Sequence, residues 1–265
     1  MVAAPPVVLT IAAHDPLGGA GLAADLTTFA ALGVHGTVAT TALTVQRIGS
    51  VDRVEPASPE LVAAQIDGVV ESFDVTAVKI GLLGSAEMVD LVAARLAAGV
   101  LPAPIVDPVL VDGRGSRFVG GDIEVAARRG LFPAARVLTP NLGEASVLAG
   151  ADLRSADDVE PAAAALAALG AELVVVTGGS ARADVAIDVL VRRDGTTARI
   201  ESPWVDTPHV RGSGCTFAAA ITARLALGDG PEGAVTAAKR FVTERLGASH
   251  WAGLDGAGPV AHWFG

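Results

Sequence analysis

Along the chain, short runs of Val, Ile and Leu alternate with longer stretches whose apolar residues recur every three or four positions. The short runs are Val7–Ala12, Val34–Leu43, Ala77–Ile80, Pro104–Val106, Arg136–Leu138 and Glu172–Val176, and their length and apolar character predict buried strands. Between them, Ala20–Leu32, Pro59–Glu71, Ala86–Ala98, Leu142–Leu148 and Ala156–Leu169 carry helical spacing. Strand and helix in regular alternation predict an α/β protein whose parallel sheet is covered by helices on both faces. Further on, Asp184–Val191 and Ala198–Pro203 flank Arg192-Arg193-Asp194-Gly195, whose Asp-Gly pair suits a tight reversal, so an antiparallel hairpin is expected at the sheet edge. Two more helices, Ser213–Leu227 and Pro231–Leu246, precede a tail rich in Gly, Trp and His. No fixed-period repeat, charge block or Pro/Ser linker breaks this pattern, so residues 1–265 are expected to form a single domain.

Composition narrows the function classes. With 51% hydrophobic and 18% charged residues, the chain can bury a large core and is not generally disordered. A formal net charge of −10 argues against a nucleic-acid partner, while leaving room for a local basic patch that holds a small phosphorylated molecule. The single cysteine, Cys215, forbids an internal disulfide, and no Cys/His cluster is spaced for structural zinc, so a reducing cytoplasm is expected. Residues 1–46 contain no Lys or Arg, and Val7-Val8-Leu9-Thr10-Ile11 therefore reads as a buried strand and not as a targeting segment. Leu26–Gln46 is free of charge but is broken by repeated Thr, Gly33, His35 and Gly36, so no membrane span is expected.

In open parallel sheets, ligands bind beyond the carboxyl ends of the strands, where loops lead into helix N-termini. Five such junctions stand out. The first contains Gly19-Ala20-Gly21-Leu22-Ala23-Ala24, a formal match to a dinucleotide fingerprint. Val34–Val45, however, offers no Asp or Glu to hold a ribose, which disfavours a nicotinamide oxidoreductase and leaves a tight strand-to-helix turn as the alternative. The last, Arg211-Gly212-Ser213-Gly214-Cys215-Thr216, is more informative. Glycines at 212 and 214 let backbone N–H groups converge on an anion at the start of Ser213–Leu227. The helix dipole and Arg211 are expected to lower the pKa of Cys215 there. A base beside an anion hole suits phosphoryl transfer to an alcohol, and the alternative is a small buried residue in a glycine turn. Asp107 and Glu144, at two further strand ends, suit either Mg²⁺ bridging nucleotide phosphates or helix capping. Val174-Val175-Val176-Thr177-Gly178-Gly179 ends a strand in a flexible turn that a nucleotide can approach. The absence of a Walker A lysine pattern excludes a P-loop kinase.

In chain order, Asp15-Pro16 with Gly18-Gly19-Ala20-Gly21 and Ala24-Asp25-Leu26, Thr41-Ala42-Leu43-Thr44 with Gln46, Lys79-Ile80-Gly81, Asp107-Pro108-Val109, Thr139-Pro140-Asn141-Leu142 with Glu144-Ala145, Thr177-Gly178-Gly179 and Gly212-Ser213-Gly214-Cys215-Thr216 closely resemble the ribokinase-like superfamily. Within it, the match is to the hydroxymethylpyrimidine and phosphomethylpyrimidine kinases of thiamine synthesis. That resemblance implies a three-layer fold with a central, mostly parallel sheet. It also implies Mg²⁺-dependent transfer of the ATP γ-phosphate to the hydroxymethyl group of 4-amino-5-hydroxymethyl-2-methylpyrimidine, and in many members to its monophosphate. It places Gly212, Ser213 and Gly214 at the anion hole, Cys215 as catalytic base, and Asp107 and Glu144 beside the metal. Asn141, Thr177, Gly178 and Gly179 fall on the nucleotide side, and Ala13, Ala20, Asp25, Gln46, Leu82 and Val109 on the acceptor side. An amide at Gln46 is apt, because it offers donors and an acceptor to a heterocycle bearing both. For Asp25, substrate contact and support of the loop stand as alternatives. The resemblance further implies a homodimer. The chain departs from the family pattern at Ala13-His14, Ala23, Leu82 and Val210-Arg211, mostly around the acceptor pocket. A pyridoxal kinase, whose ring also carries a CH₂OH, and a catalytically silent pyrimidine-binding homologue are the competing readings.

Overall fold

Successive residues of a strand point to opposite faces of its sheet, and here both faces are apolar. In β1 (Val7–His14) Val8 packs on one side with Phe29, Val34, Ala77 and Ala219, while Leu9 and Ile11 pack on the other with Val62, Ile66, Val78 and Val89. The same division separates Ile105 from Val106, Val137 from Leu138, and Leu173 and Val175 from Val174 and Val176. A computed structural model describes residues 4–110, 120–154, 156–182, 185–251 and 258–262, and in it these strands form one nine-stranded sheet of order β3-β2-β1-β4-β5-β6-β7-β8-β9.

The central strands β2 (His35–Arg47), β1, β4 (Val75–Ile80), β5 (Ile105–Val106), β6 (Val137–Leu138) and β7 (Leu173–Arg182) run parallel. α1 (Gly21–Ala31), α7 (Ser213–Ala226) and α8 (Pro231–Ala248) cover one face. The other face carries α2 (Pro59–Ser72), α3 (Ala86–Ala97), α4 (Gly121–Ala126), α5 (Leu142–Ala149) and α6 (Ala156–Ala167). α7 is buried at nearly every position from Thr216 to Leu225, as a helix sandwiched between the sheet and α1 and α8 must be.

Both sheet edges are antiparallel. The expected hairpin is present as β8 (Val185–Arg192) and β9 (Thr197–Pro203), with Gly195 at φ +84° in its turn. Asp184, included in that hairpin from the pattern, lies outside the described residues. The opposite edge differs from the pattern. β2 does not stop near Leu43 but continues to Arg47 and reverses at Gly49 into β3 (Ser50–Pro56). An edge strand needs only one apolar face, so its mixed sequence lacked the continuous run that marked the central strands. Likewise, β7 does not end at Val176. Its pairing with β8 slips between Val176 and Ser180, so Thr177, Gly178 and Gly179 form a bulge within a strand instead of a terminal turn. Among the described residues, no helix is long and apolar enough to cross a membrane.

The start of α1 depends on one glycine. Gly21 has φ +53°, and a Cβ there would lie 2.3 Å from the Ala13 carbonyl oxygen. Gly21→Ala should cost about 1–3 kcal/mol, read as a Tm several degrees lower in calorimetry; an unchanged Tm would show that the loop relaxes freely.

Candidate active site

A lysine in a central parallel strand must find counter-charges. Lys79 on β4 has the same orientation as Ala77, towards α1 and α7, and is fully buried. Its ammonium lies 3.0 and 2.9 Å from the two oxygens of Asp25 on α1, and Thr10 of β1 donates to Asp25 Oδ2 at 2.7 Å. On the other side, Asp107 at the end of β5 has Oδ2 4.0 Å from the same ammonium. Burial works against the Lys79 charge, but Asp25, Cys215 and Asp107 outweigh it and hold the ammonium above the ordinary lysine range. Asp25 is therefore not a substrate ligand in this structure: it is 0% exposed and both oxygens are committed internally, so the support role is the one it fills.

Cys215, in the first turn of α7, joins this cluster. Asp107 and the Gly21 backbone N–H are the polar groups beside its sulfur. The residue keeps some exposure, yet its sulfur is enclosed. Burial pushes the thiol up to about 12, with Lys79 pulling it down and Asp107 and Asp25 adding to the rise. That reverses the lowering expected from the helix dipole and Arg211. The dipole acts near the surface, whereas enclosure beside two carboxylates disfavours a third anion.

Two helix N-termini meet at this sulfur. α1 begins after Ala20 and α7 after Gly212, and neither has a side-chain cap, whereas Ser58, Ser85 and Asn141 cap α2, α3 and α5. Uncapped first turns leave N–H groups for an anion. Gly212 has a steric reason to be glycine, with φ +78° and a Cβ position 1.8 Å from the Gly19 carbonyl oxygen, so the two glycine loops touch. Gly214 has none: its Cβ position meets nothing within 4 Å, whereas the half-buried Ser213 beside it donates its N–H to the Val210 carbonyl at 3.1 Å and so does not offer it to the expected anion hole.

On the acceptor side, Ala13 is buried at a register shift in β1, and the exposed His14 follows it. Thr44 of β2 donates to the His14 carbonyl at 2.8 Å, and Gln46 Nε2 donates to Thr44 Oγ1 at 2.7 Å. Arg211 Nη2 donates both to Gln46 Oε1 and, at 2.9 Å, to Asp15 Oδ2. Leu82 and Val109 are half-buried at the neighbouring strand ends, and the Leu82 carbonyl accepts from Thr41.

The nucleotide-side expectations fall along the ends of β6 and β7. Asn141 and Thr177 form a parallel bridge, and Thr177 N–H donates to the Pro140 carbonyl at 3.0 Å. Gly178 has φ +70° and donates its N–H to Asp188 Oδ1 at 3.0 Å, while Lys239 holds Asp188 Oδ2 at 2.8 Å. Gly179 continues the bulge of β7. Asn141 Oδ1 caps α5, and Glu144 completes a capping box.

Neither acid expected beside Mg²⁺ is placed for direct ligation. Asp107 faces the Lys79 ammonium and the thiol, and Glu144 accepts from Asn141 N–H at 2.9 Å and Leu110 N–H at 3.3 Å. Asp107 Oδ2 has no hydrogen-bond donor, and Asp107 follows β5 while Glu144 sits in the first turn of α5 after the neighbouring β6, so the pair fits an ion held through water.

Lys79, Thr10 and Asp15 are members of this site that the motif reading assigned no role, and Arg211 was expected only to lower the pKa of Cys215. Lys79 carried a legible signal, because a lysine inside an apolar central strand is stable only when paired. The tie from Arg211 to Gln46 and Asp15 carried none. Its contacts join positions 165 and 196 residues apart.

The family model for phosphomethylpyrimidine kinase matches residues 15–261 of this chain. The chain is 42% identical over 261 residues to a hydroxymethylpyrimidine/phosphomethylpyrimidine kinase of Synechococcus elongatus, covering 98% of each. It is similar to the pyridoxal kinase of Bacillus subtilis solved as an ADP complex, with TM-score 0.89, 37% identity and 98% of each chain covered. It is also similar to a Staphylococcus aureus pyridoxal kinase in complex with AMP-PCP and pyridoxal, with TM-score 0.85, 34% identity and 98% and 94% covered.

Two measurements probe the buried cluster. Lys79→Met keeps the volume but leaves Asp25 and Asp107 without their cation, and should cost about 3–5 kcal/mol in urea unfolding; a loss under about 1 kcal/mol would mean that the pair is dispensable. Because the Cys215 thiol titrates near 12, its alkylation by iodoacetamide should be slow at neutral pH. It should climb about tenfold per pH unit between roughly pH 8 and 10, and a plateau below pH 9 would contradict the enclosed thiol.

Proposed function

The chain belongs to the phosphomethylpyrimidine kinase family and is a phosphotransferase, and from that premise we propose that it moves the γ-phosphoryl group of ATP to the hydroxymethyl group of 4-amino-5-hydroxymethyl-2-methylpyrimidine in thiamine biosynthesis, and a further phosphoryl group to the monophosphate. The observation that carries this reading is the convergence of two uncapped helix N-termini on Cys215.

On this reading, the acceptor oxygen attacks the γ-phosphorus, a P–O bond forms as the bond to the β-phosphate oxygen breaks, and ADP leaves. Backbone N–H groups of Gly212 and Gly214 face the transferring group, and the open space over Gly214 supports that assignment. The hydroxyl proton passes to the Cys215 sulfur while the thiol proton moves to Asp107. Cys215 thus acts as a relay and not as a preformed thiolate, consistent with its high pKa and with Asp107 beside it. Lys79 keeps the cluster from accumulating uncompensated negative charge. Gln46 reads the edge of the acceptor ring, with Ala13, Ala20, Leu82 and Val109 around it. Asn141 and the bulge of Thr177, Gly178 and Gly179 take the nucleotide. Asp107 and Glu144 would hold Mg²⁺ through water, and the ion would supply positive charge to offset that of the phosphates.

Pyridoxal is a second acceptor to consider, favoured by the likeness of the whole chain to solved pyridoxal kinases. A cytoplasmic homodimer completes the proposal, and the exposed Leu43, Val45 and Ile48 at the β2 edge offer an apolar face for a second copy.

ADP release should be fastest with hydroxymethylpyrimidine. Faster turnover of pyridoxal would transfer the assignment to that ring, and no ADP release with either would sink the kinase reading. Cys215→Ala should lower kcat by roughly 10²–10⁴-fold with nucleotide affinity unchanged, and a variant with undiminished turnover would remove Cys215 from the reaction.

A further inference from the structure

A glutamine that reads a ring edge must hold its amide in one of two nearly isosteric orientations, which differ by exchange of oxygen and nitrogen. In this protein both orientations are not available. The only proton of the Thr44 hydroxyl goes to the His14 carbonyl, so Thr44 Oγ1 can only accept from Gln46 and must meet its nitrogen. At the other end stands Arg211, whose guanidinium has donors and no acceptor, so it must meet the amide oxygen. The two ends demand the same polarity.

The guanidinium is itself held. One nitrogen, Nη2, serves both Gln46 Oε1 and Asp15 Oδ2; Asp15 is 2% exposed and its other oxygen accepts from Leu17 N–H at 2.9 Å. The Arg211 backbone is clamped by residues 258–262, donating to the Gly258 carbonyl at 3.1 Å and accepting from Val260 N–H at 3.0 Å. Its stem lies against Gly19, where an added Cβ would come 3.3 Å from Nε. A planar, anchored fork of this kind loses little freedom on making each bond.

We propose that Arg211 is a positioning residue that sets acceptor specificity by fixing the polarity of the Gln46 amide. So fixed, Gln46 has one Nε2–H and one Oε1 lone pair left for a ligand. That pair matches a heterocycle whose edge places an acceptor ring nitrogen beside an exocyclic amino N–H, and it disfavours rings without that pairing. The inference rests on the reading of Gln46 as the residue that meets the ring.

The test is a double-mutant cycle of Arg211→Met and Gln46→Ala, assayed with hydroxymethylpyrimidine and pyridoxal. Arg211→Met should lower kcat/KM for hydroxymethylpyrimidine roughly tenfold, mostly through KM, and lower its preference over pyridoxal by a similar factor, with KM for ATP within about twofold. In the Gln46→Ala background, Arg211→Met should change kcat/KM by less than about twofold. Losses that multiply in full, or a fall that is equal for both rings, would overturn the role of Arg211 while leaving Gln46 as reader. A Gln46→Ala enzyme unchanged with both rings would overturn the reading of Gln46 and this inference with it. Should Arg211→Met not fold, Arg211→Lys keeps a cation near Asp15 but its ammonium ends one atom short of the Nη2 position that serves both partners, and the same loss of preference is expected from it.

Discussion

One buried ammonium organises this protein. Lys79 stands in a central strand between acids delivered by α1 and by the end of β5, and the thiol of α7 closes the same cluster. Two carboxylates in a low-dielectric interior are stable only with a cation between them, and the cation only with both. The cluster therefore sets where α1 and α7 can lie on the sheet, and so where their N-termini point. An apolar substitute would pack as well, but it would not hold a thiol and two carboxylates beneath two uncapped helix ends.

The glycines above the cluster answer a different constraint. Gly212 meets the Gly19 carbonyl, and Gly21 meets that of Ala13, at distances no side chain permits, so the two loops close on one another. That closure brings backbone donors from two helices to one point. Gly214, with open space around it, contributes room. The same loops carry Asp15 and Arg211, which tie the phosphoryl side of the site to Gln46 on the acceptor side. Under the proposed function, selection of the ring and transfer to it share one rigid connection, and the short segment 258–262 braces that connection from behind by pairing with Arg211 and by the contact of His262 with Thr216 at 2.9 Å.

The pattern of apolar residues was enough to determine the parallel sheet, its two helical layers and the hairpin of β8 and β9, because burial on both faces imposes a continuous apolar run on every central strand. The glycine junctions marked the two loops that close on one another above Lys79, since a strand end that feeds a helix start calls for a tight turn there whatever the neighbouring side chains. Only the tertiary structure decided what is partial or non-local. β3 and the extension of β2 lie at an edge, where one solvated face dilutes the signal. Asp25 and Glu144 were legible as acids near the site, but their commitment to Lys79 and to backbone N–H groups depends on which elements pack against them. The Cys215 thiol reverses its expected shift for the same reason: the dipole of its own helix is local and readable, whereas enclosure by β4, β5 and α1 is a property of the assembled core. Arg211 and Gln46 meet across 165 residues of chain, and no periodicity or spacing encodes a contact at that range.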